Sequence, residues 1–173
     1  MPPTRAAPTA APSCGERSVA EERPTSIAIA RTAWLHGVHG RSFVRTMIDL
    51  ESRHDTLDVV DVQRGQPTGS ADVAARLADL GPHPGRGASG VRHATGCGEA
   101  SWCEPAREVF PGLGTGPDRV RPVSSGAFPR SVTRPAYRAL AHGRRQELGL
   151  PPLRDWRSAL HEAFPLIRKE SSS

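Results

Sequence analysis

Few residues in this chain of 173 have the type and spacing to do chemistry. His36 and His39, separated by two residues in a glycine-flanked stretch with no third ligand nearby, make poor zinc geometry and read as loop histidines. Gly96-Cys97-Gly98 imitates the start of a dinucleotide-binding turn. Position 101 is Ser where the third glycine of that pattern would stand, and no acidic residue closes a downstream strand, so it reads as a structural turn. Cys14, Cys97 and Cys103 are odd in number and lack CxxC spacing, which fits small buried thiols in a reduced, cytoplasmic protein. Glu99 and Glu104 read as turn and capping residues, with no second carboxylate to form a hydrolytic pair. Neither a catalytic residue nor a metal site is expected.

Composition narrows the class further. Hydrophobic residues at 36% with 17 Gly and 17 Pro describe a loop-rich, marginally apolar chain of low expected stability. The net charge of +5 rests on arginine, since Lys169 is the only lysine, and no basic stripe is interleaved with aromatics. Solvated surface charge is the reading, with no nucleic acid as partner. No stretch has the apolar length of a membrane span or of a signal-peptide core, so no membrane partner is expected.

The elements that must position any site follow from periodicity. Residues 26–33, with Ile27 and Ile29 alternating with small residues, predict a buried strand, and 34–40 leave it as a loop. Residues 41–53 predict a helix with Phe43, Val44, Met47, Ile48 and Leu50 on one face. A strand at 57–62 precedes a helix opened by Ser70, with Val73, Leu77 and Leu80 at helical spacing and Asp72 in its first turn. After a Gly/Pro linker at 81–90, residues 91–95 read as a strand, and Ser101 to Glu104 has capping-box spacing for a helix towards Phe110. Residues 119–123 predict a short strand and 134–140 a turn entering a short helix, and Asp155 caps a last helix through Phe164. Strands 26–33, 57–62 and 91–95 are expected in one mainly parallel sheet with right-handed crossovers.

The run Arg31-Thr32-Ala33-Trp34-Leu35-His36-Gly37, followed by Val59-Val60-Asp61-Val62-Gln63-Arg64-Gly65-Gln66-Pro67-Thr68, resembles dTDP-4-dehydrorhamnose reductases, extended short-chain dehydrogenases that reduce a nucleotide sugar with NADPH. The resemblance continues through His93-Ala94-Thr95-Gly96-Cys97-Gly98-Glu99-Ala100-Ser101-Trp102, Phe128-Pro129-Arg130 and Arg134-Pro135-Ala136-Tyr137, and closes at Leu150-Pro151-Pro152-Leu153-Arg154-Asp155-Trp156-Arg157. It spans roughly residues 15 to 165 and only the C-terminal half of the family's chain. It implies an α/β fold, the C-terminal part of a Rossmann-like extended short-chain dehydrogenase, with a mainly parallel sheet and a small α/β substrate-binding lobe in residues 15–173. It implies NADPH as cofactor, a dTDP-sugar as substrate and Mg in family dimers. Arg31 and Thr32 resemble the family's strand end beside the nicotinamide. Trp34 resembles a residue beside the sugar: its ring packs on a deoxysugar face, or it is a core or lid tryptophan. Gln63, Gly65, Pro67 and Thr68 resemble the loop that shapes the sugar-nucleotide pocket, with Val62 where a polar residue is usual. Arg134 either pairs with a diphosphate or bonds loop carbonyls.

The family's proton donor is a Tyr with a Lys four residues later. Tyr137 is the only tyrosine and Lys169 the only lysine, so that pair cannot form here, and the Gly-rich phosphate turn is also missing. The pair would fall near residues 8–13, and Pro8-Thr9-Ala10-Ala11-Pro12-Ser13 can be coded so that a two-base shift reads Tyr-Gly-Arg-Thr-Lys. Residues 1–14 are therefore expected to be a disordered, out-of-frame tail of a truncated gene. Two functions follow from the resemblance: the sugar-nucleotide half of a reductase, inactive alone, or a non-catalytic module serving a partner. Without the family's other half the chain is expected to self-associate through an exposed sheet edge.

Overall fold

The computed structural model describes residues 28–80, 90–127, 136–141 and 151–171. In chain order the elements are β1 (Ala28–Arg31), β2 (Leu35–His36), α1 (Phe43–Glu51), β3 (Leu57–Val60), β4 (Arg64–Gly65), β5 (Thr68–Gly69) and α2 (Ser70–Leu80). They continue with β6 (Gly90–His93), β7 (Ala100–Ser101), α3 (Cys103–Gly112), β8 (Val120–Val123) and α4 (Trp156–Ser171). The α/β class holds, and among the described residues three of the four strand pairs are parallel: β1 with β6, β2 with β5 and β3 with β8. Only β4 and β7 run antiparallel.

The grouping of strands differs from expectation. Ala28–Arg31 pairs with Gly90–His93, but Leu57–Val60 lies in a separate ladder with Val120–Val123, so the three strands do not share one sheet. Alternation reports that a strand is buried, not which strand lies beside it. Leu57, Val59 and Val120 are buried in the core formed with Val44 and Met47 of α1, Val109 and Phe110 of α3, and Trp156, Leu160 and Ile167 of α4. The described residues of β1 and β6 are only half-buried.

The helix boundaries have local causes. Ser42 caps α1, its Oγ accepting from the Arg45 N–H at 3.3 Å. At α3 half of the capping box forms: Glu104 Oε1 accepts from the Ser101 N–H at 3.0 Å, while the Ser101 hydroxyl turns to Asp61. Asp155 Oδ1 accepts from the Arg157 N–H at 2.9 Å and starts α4.

Three expectations are corrected. Helix α4 does not stop at Phe164 but passes exposed Pro165 to Ser171, because Ile167, fully buried in the core, anchors the turn beyond it. The apolar positions of α2 do not share one burial: Leu77 is 48% exposed, Val73 is half-buried, and the neighbouring Arg76 is buried with its guanidinium on the Pro151 carbonyl. Residues 136–141 contain no helix. Their backbone bonds to Arg64 through Arg64 N to the Ala136 carbonyl (2.8 Å) and Arg138 N to the Arg64 carbonyl (2.9 Å). Residues 1–27, 81–89, 128–135, 142–150 and 172–173, and the readings made on them, lie outside the described residues.

Denaturant unfolding tests the extension of α4. Ile167→Ala should destabilise by about 2–5 kcal/mol, whereas Leu166→Ala, at a position 57% exposed, should stay within about 0.5 kcal/mol. Equal effects would contradict the observed helix.

Candidate functional site

The backbone leaving β1 turns sharply at Trp34, whose φ of +45° is the one left-handed non-glycine conformation among the described residues. For a bulky residue this costs about 1–2 kcal/mol, so surrounding contacts must hold it. Trp102, at the start of α3, stacks on the indole with ring centroids 3.6 Å apart and planes 13° apart. Phe43 leans on Trp102 from α1, 4.7 Å away and tilted by 49°. Gly65 forms the seat below: a Cβ there would lie 2.5 Å from Trp34 Cε2. The Trp34 carbonyl accepts from the Thr68 N–H at 3.2 Å. Residues far apart in sequence, Trp34 and those at 65–68, are thereby brought together.

The segment that carries this seat is buried at every position from 65 to 69. Gln66 Oε1 accepts from the Leu140 N–H at 2.9 Å, and its Nε2 donates to the Leu140 carbonyl at 3.4 Å. The fully buried Thr68 hydroxyl donates to the Gln66 carbonyl at 3.0 Å and accepts from the Gly96 N–H at 3.1 Å. Pro67 presents its carbonyl where a Cβ on Gly96 would sit, at 2.5 Å. Thr68 and Pro67 thus hold the segment from inside. Gln63, partly exposed at its entrance, donates to Ser125 Oγ at 3.3 Å. The 96–98 turn is a seam: Cys97 N donates to the Arg154 carbonyl (3.0 Å), and Trp156 N donates to the Cys97 carbonyl (3.1 Å).

At the end of β1, Arg31 aligns with His93, and its carbonyl accepts from the Ala94 N–H at 2.7 Å. The adjacent Thr32 hydroxyl is buried and has no hydrogen-bond partner. A buried hydroxyl without a partner among the described residues is unfavourable. Arg134 lies outside the described residues.

The histidines do not behave as a pair of loop residues. His36 belongs to β2 and is 4% exposed, while His39 is exposed and 3.6 Å from Glu170. His36 borders a cavity of about 110 Å³ together with Asp72, Arg154 and Glu162, and its Nε2 has no partner. Desolvation pulls its pKa below the ordinary 6.5, opposed by the Asp72 carboxylate. Among the described residues no group of three or more His, Cys, Asp or Glu could hold a metal ion. Burial and the nearby Asp61 push the Cys103 thiol up to about 11, so it is inert at neutral pH, and it sits 3.1 Å from the Val59 carbonyl.

Tyr137 is exposed, and its hydroxyl donates to Glu99 Oε1 at 2.5 Å. This bond raises the phenol pKa, the reverse of what a proton-relaying tyrosine needs. The stacked partner Trp102 and its prop Phe43 were not legible as site residues. Phe43 was visible as part of an apolar helix face and Trp102 as the end of a run shared with the family, but neither signal marks a residue beside Trp34.

Parallel strand pairs alternating with helices make this an α/β protein, and its likeness to solved dTDP-4-dehydrorhamnose reductases gives the extended short-chain dehydrogenase fold. A family model described as the RmlD substrate binding domain matches residues 9–168, and the chain belongs to that family. It is 53% identical over 153 residues to a probable dTDP-4,6-dihydroxy-2-methyloxan-3-one 4-ketoreductase of Streptomyces antibioticus, covering 88% of this chain and 51% of that protein. It is 48% identical over 155 residues to a dTDP-4-dehydrorhamnose reductase of Streptomyces griseus, covering 88% and 51%. Among solved structures it resembles the dTDP-4-dehydrorhamnose reductase of Bacillus anthracis in complex with NADP, with a TM-score of 0.73 and 31% identity over 80% of this chain and 48% of that one. The chain spans about half the length of the curated relatives it matches. Among the described residues no helix is long and apolar enough to cross a membrane.

Two outcomes test the geometry. Gly65→Ala should unseat Trp34, lowering stability by about 1–3 kcal/mol and altering the near-ultraviolet circular dichroism. Gly116→Ala, where an added Cβ meets nothing within 4 Å, should do neither. For His36 the folded pKa lies below the unfolded value, so below about 6.5 the unfolded chain binds the extra proton. The stability His36 contributes is full above that pH and is lost as pH falls towards its folded pKa. Unfolding midpoints of the chain and of His36→Gln should converge or cross in that direction; parallel pH profiles would contradict it.

Proposed function

We propose that this chain is the sugar-nucleotide-binding half of an NADPH-dependent reductase of dTDP-4-dehydro-6-deoxy sugars in dTDP-rhamnose formation, and that alone it does not turn over. The contact of Trp34 with Gly65 carries the reading, because it joins the β1 end to the 63–68 segment in one place. Trp34 stands beside the deoxysugar and orients a hydroxyl through its N–H. Gln63 offers an amide beside it, while Pro67 and Thr68 keep Gly65 in position. Thr32 and Arg31 meet the nicotinamide end, and Arg134 pairs with the diphosphate. Bound NADPH supplies the hydride for the C4 carbonyl. The proton for the resulting oxygen needs a donor that this chain does not hold, since Glu99 keeps the Tyr137 phenol protonated and no lysine follows it at the required spacing.

A second reading, a non-catalytic module serving a partner, is favoured by a different observation. The core of β3, β8, α1, α3 and α4 closes on itself among the described residues. Against it, β1 and β6 pair only with each other there, and Leu35, Val62 and Leu77 are exposed, so the first reading includes self-association through that edge. A monodisperse monomer with one sharp thermal transition would favour the module.

The purified chain should bind dTDP-L-rhamnose, read by tryptophan fluorescence, and show no NADPH-dependent reduction of dTDP-4-dehydro-6-deoxy-L-mannose. Loss of a positioned general acid alone removes about two to four orders of magnitude. Turnover within about tenfold of an intact family member would overturn the assignment.

A further inference from the structure

We propose that His36 is the positioning residue that holds Trp34 for the sugar, and that it does so only while its imidazole is uncharged, an inference that rests on the reading of Trp34 as the residue beside the sugar. Trp34 has a left-handed backbone, φ +45°, so the chain that follows it must be tied down to keep it there. The tie is β2, two residues long, which pairs with β5 through Leu35 to Thr68 and His36 to Gly69. Leu35 is 45% exposed and His36 only 4%, so His36 is the side chain by which β2 is buried. Gly69 opposite it has no Cβ, and the Asp72 carboxylate takes up that space, 2.7 Å from where the Cβ would stand.

The surroundings of the ring decide what a proton does to it. One narrow gap beside His36 is shared with Phe43, Val44 and Leu160, which carry no charge. The other is the cavity of about 110 Å³, where the charged groups are Asp72 of α2, Arg154 ahead of α4 and Glu162 of α4. Arg154 already pairs with both carboxylates, with Asp72 at 2.9 Å and with Glu162. An imidazolium would therefore be a buried cation competing with Arg154 for its counter-charges, and the Nε2 of His36 has no hydrogen-bond partner. Desolvation accordingly holds the imidazole pKa below its ordinary 6.5, against the pull of Asp72. The charge is relieved when His36 reaches water, which requires β2 to leave β5, and only two residue pairs hold it there. Leaving frees the Trp34 backbone. Acid thus removes the sugar contact first, while the core of β3, β8, α1, α3 and α4, whose residues include neither His36 nor Trp34, stays closed.

The test measures dTDP-L-rhamnose binding, and the near-ultraviolet circular dichroism of the unliganded chain, from about pH 7.5 down to about pH 5.5, the range in which histidine titrates and this ligand does not. Affinity should fall by up to about tenfold per pH unit below about pH 6.5, as uptake of one proton by the open form requires. The tryptophan dichroism should fall over the same range while the far-ultraviolet spectrum keeps its helical bands. His36→Gln, which takes up no proton there, should give flat profiles in both. Should it lose its cooperative melt, His36→Phe, which keeps a ring in the space, decides by the same slopes. A flat profile in the unaltered chain overturns the inference, and so does an unchanged slope in a folded His36 variant, because another group would then be titrating; both leave the proposed function standing. Loss of the helical bands together with binding also overturns it, because acid would then be unfolding the chain as a whole. A chain that does not bind dTDP-L-rhamnose at the upper end of this range defeats the proposed function, and the inference falls with it.

Discussion

Five consecutive buried positions, residues 65–69, impose the constraint on which the rest of the structure depends. Polar groups removed from water must find partners in the protein, and here they do. The Gln66 amide closes on both backbone groups of Leu140, and the Thr68 hydroxyl bridges the Gln66 carbonyl to the Gly96 N–H. These bonds tie the 96–98 turn and the 136–141 segment to one short stretch of backbone, and the Thr68 N–H on the Trp34 carbonyl adds the end of β1. Glycine at 65 and at 96 is needed because each faces an atom 2.5 Å from where a Cβ would stand.

From that stretch the structure reaches in two directions. On one side Gly65 admits Trp34, and the aromatic series Trp34, Trp102 and Phe43 connects the β1 end to α3 and α1. On the other, Gly69 leads into α2, where Asp72 lies in the first turn, favourably placed for the helix dipole, and pairs with Arg154 at 2.9 Å. Arg154 also holds the Glu162 carboxyl below its usual range, linking the start of α2 to α4. His36 lies between the two sides, buried and neutral, which is why its protonation is felt as a loss of stability.

Much of this was legible where the signal is local. The strand at 57–60, the helices from Phe43 and Ser70, and the Glu104 side of the capping box follow from period, propensity and spacing within a few residues. What was not legible depends on partners far along the chain. Nothing near Leu77 says that it will be exposed while Arg76 is buried, and nothing near Pro165 reports that Ile167 will be buried. The parallel pairing of β3 with β8 and the stacking of Trp34 on Trp102 are likewise set by contacts about sixty residues apart. At the candidate site, Trp34 and 63–68 were visible through family resemblance alone. The backbone strain at Trp34 and the ring that holds it were not.

On the proposed function, recognition falls at one place, the junction of the β1 end with the 63–68 segment, and the rest of the described chain holds it. Amide hydrogen exchange on the chain with and without dTDP-L-rhamnose tests this most directly. Exchange should slow at residues 31–35 and 63–68, with the Thr68 and Gly96 amides already among the slowest before ligand is added. Slowing confined to other segments, or Thr68 and Gly96 exchanging as fast as exposed loop amides, would contradict it.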